Sequence, residues 1–517
     1  MNTRAQTLRN TAFSSVGMYT EYVLGMLTSI VIARHLGPAE LGAYGLVIWL
    51  VALGVAVTNS GTASAAIKFV AELRGADRLQ TIPALLDRLR AVQRIFLLAV
   101  LVVGAMVFLF AGDHLAPGMN HWLLLGVLVV GVALRSSYMF NIGVAKGFEN
   151  FRATAVIALI ATPTNLALVL LAWWLDASVE WFFAVFCVSG VVFYAVSAWQ
   201  VAPLLPPGDA APLPATLLAR TRRHMAWTTL TVSVGFMAAS EVEVLFLNLY
   251  SGAEEAGHFK VAYQLALGAA MLVPGVFGAL MLPMMSSALS QGKEVAAQRF
   301  VASTTYLALL ALPLMAFGAL FAEPIIGVLY GHAYSSSAPA FAVCLAVASL
   351  TVMTQAASSM LISADRQRSI LVLVGTCAAL KVGLDALLIS HYGLAGAVAA
   401  YAAVGLFAAG SMTLLAIRTS GARLQWRRMG RVLLAAVLSG LVILPLRGEL
   451  LPAAQVVVGG GLLMALYLPL TLLLRCWSQG DIEHLQLLHQ RFAAGRPTLG
   501  ARFLQWAMIH AGERRSA

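Results

Sequence analysis

The sequence predicts an all-α polytopic membrane protein. About fourteen transmembrane helices are expected, as two pseudo-repeated six-helix lobes plus two extra C-terminal spans, with both termini cytoplasmic. Three observations predict it. The 517 residues are 60% hydrophobic and only 11% charged, with a mean hydropathy of +0.85, whereas a soluble domain carries roughly 25% charged residues. The apolar residues fall in runs long enough to cross a bilayer, which takes ~20 mainly apolar residues. A polar hairpin between two such runs, residues 35–46, recurs at 249–260, with Gly37, Glu40 and Gly42 matched 215 positions later by Gly252, Glu255 and Gly257.

Taken in order, the apolar windows are 11–33, 42–66, 95–112, 120–144, 153–174, 181–203, 225–249, 257–287, 302–322, 337–362, 369–390, 393–417, 431–447 and 453–475. The polar start Met1–Asn10 leads directly into the first of them, so no cleaved signal peptide is expected. Placing the N-terminus in the cytoplasm puts 28 of the 33 Lys and Arg residues on one side. Loop 67–94 alone holds Lys68, Arg74, Arg78, Arg88, Arg90 and Arg94. The other side has only Arg34, Lys260 and Arg447, an asymmetry that follows the positive-inside rule. The net charge of +11 therefore calls for no nucleic-acid partner. Trp122, Trp173, Trp174, Trp181, Trp199, Trp227, Trp426 and Trp477 fall at or near span ends, where amphipathic rings favour the interface.

These boundaries divide the chain into an N-lobe (1–204, spans one to six), a Pro-rich cytoplasmic linker (205–224) and a C-lobe (225–417, spans seven to twelve). Two further spans occupy 418–476, and an amphipathic tail occupies 477–517. Six is even, so the lobes share one orientation and are parallel repeats about an axis along the membrane normal. In the tail, Ile482, Leu485, Leu488 and Phe492 recur at helical spacing, followed by Phe503, Trp506 and Ile509. This predicts helices lying on the cytoplasmic membrane surface, with a docking site for a partner protein as the alternative. Cys187, Cys344, Cys377 and Cys476 lie in or beside apolar runs without paired spacing and read as small core residues, neither disulfides nor metal ligands.

Ionisable groups within the hydrocarbon are the candidate site, because each costs roughly 2.5–3.5 kcal/mol on insertion scales. Glu21 lies near the middle of span one and is too short to reach the interface. It should face the bundle interior or a watery cavity, as a proton site or a polar wall group. Glu241 and Glu243, two residues apart in span seven, point about 200° apart on a continuous helix. One would line a cavity and the other pair or reach the interface. Lys260 in the first turn of span eight would reach outer headgroups or sit at the outer mouth of a cavity. Arg135 in span four would snorkel to inner headgroups or contact a diphosphate by its bidentate fork. Lys381 and Asp385 are i,i+4 neighbours in span eleven and are expected to neutralise each other. Tyr19, Tyr22, Tyr44 and Tyr263 would pack or stack on sugar rings. Pro163, Pro274 and Pro313 fall inside spans and would kink them.

The hairpin itself reads as a helix start. Pro38 pre-sets the first turn, Glu40 and the pair Glu254 and Glu255 put negative charge at helix N-termini, and Gly42, Gly45 and Gly257 leave room for close helix approach. Residues 32–46, followed by a span and by Ile67–Glu72, also resemble the start of bacterial polysaccharide-unit flippases of the multidrug/oligosaccharidyl-lipid/polysaccharide flippase superfamily. The similarity extends to Gly143–Arg152 after span four and to Ile362–Arg368 after span ten. The resemblance implies a bacterial inner-membrane flippase that moves undecaprenyl-diphosphate-linked oligosaccharide repeat units outward, driven by H+, Na+ or the membrane potential and using no cofactor. It implies membrane lipids and a glycan polymerase with its chain-length machinery as partners. A multidrug or cation antiporter and a peptidoglycan-precursor flippase of the same superfamily are the alternatives. A membrane-bound polymerase or ligase would need a sizeable external loop, and here the external loops are short and poor in catalytic groups. No Walker A sequence occurs. On this reading, Glu21→Gln lowers glycan export at unchanged membrane abundance; unchanged export would remove Glu21 from the mechanism.

Overall fold

The computed structural model describes residues 3–480 except 60, 116–119, 207–210, 273–274 and 447–450, and beyond 480 only 482–483, 486, 505 and 508. Side chains at 3–12, 14, 111–115, 272, 275–280 and 446 are likewise outside the description. The described residues are helical almost throughout. Sixteen α-helices follow one another: α1 (Thr3–Asn59), α2 (Thr62–Gly75), α3 (Ile82–Leu115), α4 (His121–Gly147), α5 (Phe151–Trp174), α6 (Val179–Val201), α7 (Ala215–Ala239) and α8 (Val242–Tyr250). Then come α9 (Ala253–Leu272), α10 (Gly275–Gln291), α11 (Lys293–Tyr330), α12 (Ser337–Met353), α13 (Gln355–Ser363), α14 (Gln367–Ser420), α15 (Trp426–Ile443) and α16 (Pro452–Leu473). With no water in the hydrocarbon, backbone groups must be satisfied within each segment, and helices do this.

Nine described helices are long and apolar enough to span, and α7 with α8 makes a tenth as one span bent by 56°. The count rises to twelve because α1 and α14 are each two helices. α1, at 57 residues, would reach about 85 Å at helical rise, and it breaks at Gly37 (φ 73°), while α14 breaks at Gly393 (φ 53°). α9 with α10, and α15 with its three arginines, occupy the other two positions of the expected fourteen.

The breaks expose the duplication in backbone terms. Gly37 and Gly252 both take positive φ (73° and 105°), a region open to glycine at no steric cost. Five residues on, Gly42 and Gly257 make backbone contact with the opposite hairpin. A Cβ on Gly42 would overlap the carbonyl oxygen of Ala253, and one on Gly257 would overlap that of Pro38. The two copies of the motif thus pack against each other, which fulfils the close-approach reading. Glu255 serves a different helix from the one expected: its carboxylate accepts from the Leu394 amide at 2.7 Å, just past the Gly393 break.

By contacts the chain divides into two compact units, 1–264 with 374–401, and 265–373 with 402–517. This is a different division from the repeat boundary at 205–224. In the first unit, α2, α3 and α4 bury a core of Phe69, Leu85, Leu86, Leu89, Phe140 and Val144. α7 starts ten residues before its apolar window. This polar extension is tied to α2 by Arg220, which donates to both oxygens of Glu72 at 2.7 and 2.9 Å and holds that carboxyl below the usual carboxylate range. In the second unit, α15 and α16 pack on α11. Gly440 meets Leu320, Gly459 meets Phe321, and the Tyr467 hydroxyl donates to the Leu309 carbonyl at 2.8 Å.

Other expectations resolve individually. Seven of the eight interface tryptophans are exposed, as a lipid-facing belt requires, while Trp477 packs with Leu472 and Ile482 and donates to Thr471 at 3.0 Å. α11 departs from helical geometry at Phe321, three residues before Pro324, and keeps it at Pro313. The missing amide is common to both prolines, so it does not by itself bend the helix. Pro274 and most of the tail (485, 488, 492, 503, 506 and 509) lie outside the described residues. None of the four cysteines is in a disulfide.

The hairpin contact sets a testable requirement. Gly42→Val or Gly257→Val forces backbones apart and should destabilise by about 1–3 kcal/mol, seen as a lower thermal midpoint in detergent. Gly126→Ala, where a Cβ meets nothing within 4 Å, should leave the midpoint in place.

Candidate functional site

Span seven has no Pro, and its one Gly, Gly235, lies five residues before residue 240, yet the helix ends there. Ser240 N closes α7 on the Phe236 carbonyl (2.8 Å), Glu241 lies in the break, and α8 restarts at Val242. A helix end leaves carbonyls without intrahelical partners, and side chains from other helices take them. The Tyr263 hydroxyl of α9 donates to the Ala239 carbonyl at 2.9 Å. Lys381 Nζ of α14 donates to the Ser240 carbonyl at 2.7 Å. Trp49 of α1 donates to the Ser240 hydroxyl at 3.3 Å. One signal for the break was present: Ser240 with Glu243 has the S-x-x-E spacing of a helix start.

The break changes what the two glutamates do. Glu241 accepts from Lys260 Nζ at 2.9 Å and from Gln264 Nε2 at 3.3 Å, and Gln264 Oε1 accepts from the Ser29 hydroxyl at 2.8 Å. Glu243 is fully buried, with Oε1 3.0 Å from Lys381 Nζ. Both acids are therefore paired within the protein. Lys260 is 6% exposed, so it reaches neither outer headgroups nor an open mouth. Its stem lies against Gly45, where a Cβ would come within 2.6 Å of Lys260 Cδ.

The expected Lys381–Asp385 pair does not form. Lys381 extends to the broken helix, where a carboxylate and a free carbonyl together outcompete a neighbour on its own helix. Asp385 is fully buried, and neither of its oxygens has a hydrogen-bond partner among the described residues. Among the described residues, Glu241 pairs with Lys260 and Glu243 with Lys381, and Asp385, one turn along α14 from Lys381, is left without an ion pair. Taking a charge out of water without compensation is costly, which sets Asp385 apart from the two paired acids.

A second group lies on α1, α4 and α6. The Arg135 guanidinium is held between the rings of Phe186 and Phe193, with Cζ 4.9 and 4.6 Å from their centroids. The rings hold the guanidinium against α6, and the side chain is only partly buried. Glu21 is exposed on its unit, 3.5 Å from the Tyr138 hydroxyl. Tyr44 and Tyr263 are buried, Tyr44 against Phe183 and Tyr263 against Phe259 and Tyr401. Both therefore pack in the core and offer no face to a sugar. Tyr22 is 42% exposed and Tyr19 is half-buried.

Comparison with known proteins places this architecture. Residues 7–289, more than half of the chain, match the family model described as polysaccharide biosynthesis protein. No curated protein matches the chain. Among solved structures, the lipid II flippase MurJ in an inward closed conformation aligns with TM-score 0.71 at 12% identity, over 89% of this chain and 97% of that one. A multidrug resistance MATE family transporter of the MOP superfamily, in an inward-facing conformation, aligns with TM-score 0.64 at 18% identity, over 80% and 98%. A Vibrio cholerae MATE transporter aligns with TM-score 0.57 at 15% identity, over 80% and 96%. At these identities the likeness is one of fold.

The network makes a thermodynamic prediction. Lys381→Met strands Glu243 and should cost about 3–5 kcal/mol. Adding Glu243→Gln removes the stranded charge and should recover part of the loss. Additive losses in denaturant unfolding would contradict the pairing.

Proposed function

The chain belongs to the polysaccharide biosynthesis protein family, and from that premise we propose that it flips undecaprenyl-diphosphate-linked oligosaccharide repeat units across the bacterial inner membrane. The product serves surface or exopolysaccharide synthesis, and a glycan polymerase with its chain-length machinery receives it. The observation that carries this reading is the family match over residues 7–289, on a fold shared with a protein named as a lipid II flippase. A lipid-linked glycan has a tail that can stay in the bilayer and a polar head that cannot. Two six-helix lobes, rocking so that a central cavity opens alternately to each side, give the head a path.

The drive is an ion or the membrane potential, and the buried network supports a coupling site. Two of its acids are held by lysines. Asp385 has no such partner, so it is the group whose charge changes when H+ or Na+ binds. Arg135 and Glu21 are kept as candidates for contact with the diphosphate and glycan, Glu21 by its exposure and Arg135 by its fork geometry.

The likeness to the lipid II flippase fold also favours a second reading, a peptidoglycan-precursor flippase. In a strain lacking the protein, lipid-linked repeat units should accumulate in the inner leaflet while peptidoglycan synthesis continues. Asp385→Asn keeps the shape of the side chain and removes the titration. It should cut export at least tenfold at unchanged membrane abundance. Normal export from that variant would exclude Asp385 from coupling, and arrested peptidoglycan synthesis in the deletion strain would replace the repeat-unit reading.

A further inference from the structure

A cavity of about 390 Å³ opens between α3, α4 and α6, at the ends that the basic-loop asymmetry makes cytoplasmic. Its polar lining includes Arg90, Gln93, Arg94, Asn141 and Tyr194. The two amides already donate to protein: Gln93 to Asn59 at 2.9 Å and to the Ser136 carbonyl at 3.0 Å, and Asn141 to Ser197 at 3.0 Å. The guanidinium groups are different. Arg90 and Arg94 are i,i+4 on one face of α3. Arg90 lies over the Phe140 ring at 5.7 Å, and the Asp87 carboxylate is 3.8 Å away on a side chain that is 75% exposed. Arg94 forms no ion pair among the described residues. Among the described residues, no acid lines the cavity.

The surroundings say what approaches it. Ile95, Leu98, Val191 and Tyr194 are exposed on α3 and α6, and in a membrane-spanning chain such apolar faces meet acyl tails. α3 is the least enclosed of the candidate spans. Trp199, 64% exposed, marks the interface at this end of α6. A cavity with two cations, at headgroup depth, flanked by lipid-facing surface, fits an anion that arrives attached to a lipid tail.

We propose that this cavity binds the phosphate headgroup of an anionic phospholipid of the cytoplasmic leaflet. Arg90 and Arg94 grip the phosphate oxygens, for which the planar guanidinium fork is suited. Gln93 and Asn141 hold the wall in place, and the acyl chains lie along the exposed faces of α3 and α6. Basic pockets between spans on the cytoplasmic side bind anionic headgroups in this way. The site lies outside the charge network at residue 240 and does not rest on the transport reading.

Native mass spectrometry of the full chain in detergent tests it, with phosphatidylglycerol, phosphatidylcholine and a polyprenyl diphosphate as separate probes. Phosphatidylglycerol should be retained over phosphatidylcholine. Arg94→Gln should weaken that retention about fivefold, and Arg90→Gln with Arg94→Gln roughly twentyfold or more. Arg88→Gln, an exposed charge on another face of α3, should leave it unchanged. The single Arg94→Gln variant decides the matter if the double variant does not fold. Equal retention by wild type and Arg94→Gln, or an equal loss from Arg88→Gln, overturns the proposal. So does loss of polyprenyl diphosphate alone, which would assign the cavity to a different lipid.

Discussion

The bond from Lys381 to the Ser240 carbonyl is the interaction on which the rest of the first unit depends. A helix that stops inside a membrane presents carbonyls to a medium that cannot solvate them, and the partial negative charge at its C-terminal end attracts a cation. Lys381 supplies that cation from α14, and Tyr263 satisfies the neighbouring carbonyl from α9. With the break stabilised, Glu241 and Glu243 leave the opposite faces of one helix. They turn toward lysines on two different helices. Without the break, at least one of them would face hydrocarbon.

The repeated hairpin and the broken helix are linked through α9. Backbone contact at Gly42 and Gly257 sets α9 against the second half of α1. That approach brings the Lys260 stem over Gly45, where no larger residue would fit without displacing it. From there Lys260 meets Glu241, and one turn later Gln264 bridges Glu241 to Ser29. A glycine pattern that looks like a family signature is therefore also the geometric cause of an ion pair. The glycine at 393 has a similar role, since its positive φ presents the Leu394 amide to Glu255.

Much of the fold was legible because lipid enforces a simple code of long apolar runs, interfacial tryptophans and basic loops on one side. The Gly37 and Gly252 breaks were legible for the same local reason, a glycine beside a helix-start signal. The site was legible only as a set of names. Glu21, Glu241, Glu243, Lys260, Arg135, Lys381 and Asp385 stood out because each charge is costly where it sits, but cost says nothing of partner. Spacing along one helix favoured Lys381 with Asp385; the actual partner, Glu243, is 138 positions away in the chain. The break that brings it there has no Pro or Gly, only the Ser240–Glu243 spacing. Burial of Tyr44 and Tyr263, and the ring clamp on Arg135, likewise depend on distant helices that periodicity does not order.

Under the proposed reading, the unequal count of acids and bases links chemistry to backbone shape. Lys381 and Asp385 share a face of α14, and Lys381 also holds the end of α7 through Ser240. With a proton or a cation on Asp385, Lys381 has one anion to satisfy and stays on the break. With Asp385 charged and bare, a second anion one turn away competes for the same ammonium, and the carbonyl of Ser240 is the weakest of its three partners. The acid that the pairing leaves out is thereby the one best placed to act on the bend in span seven. A matched pair such as Lys260–Glu241 lacks that leverage, because it leaves no anion over to compete for the ammonium.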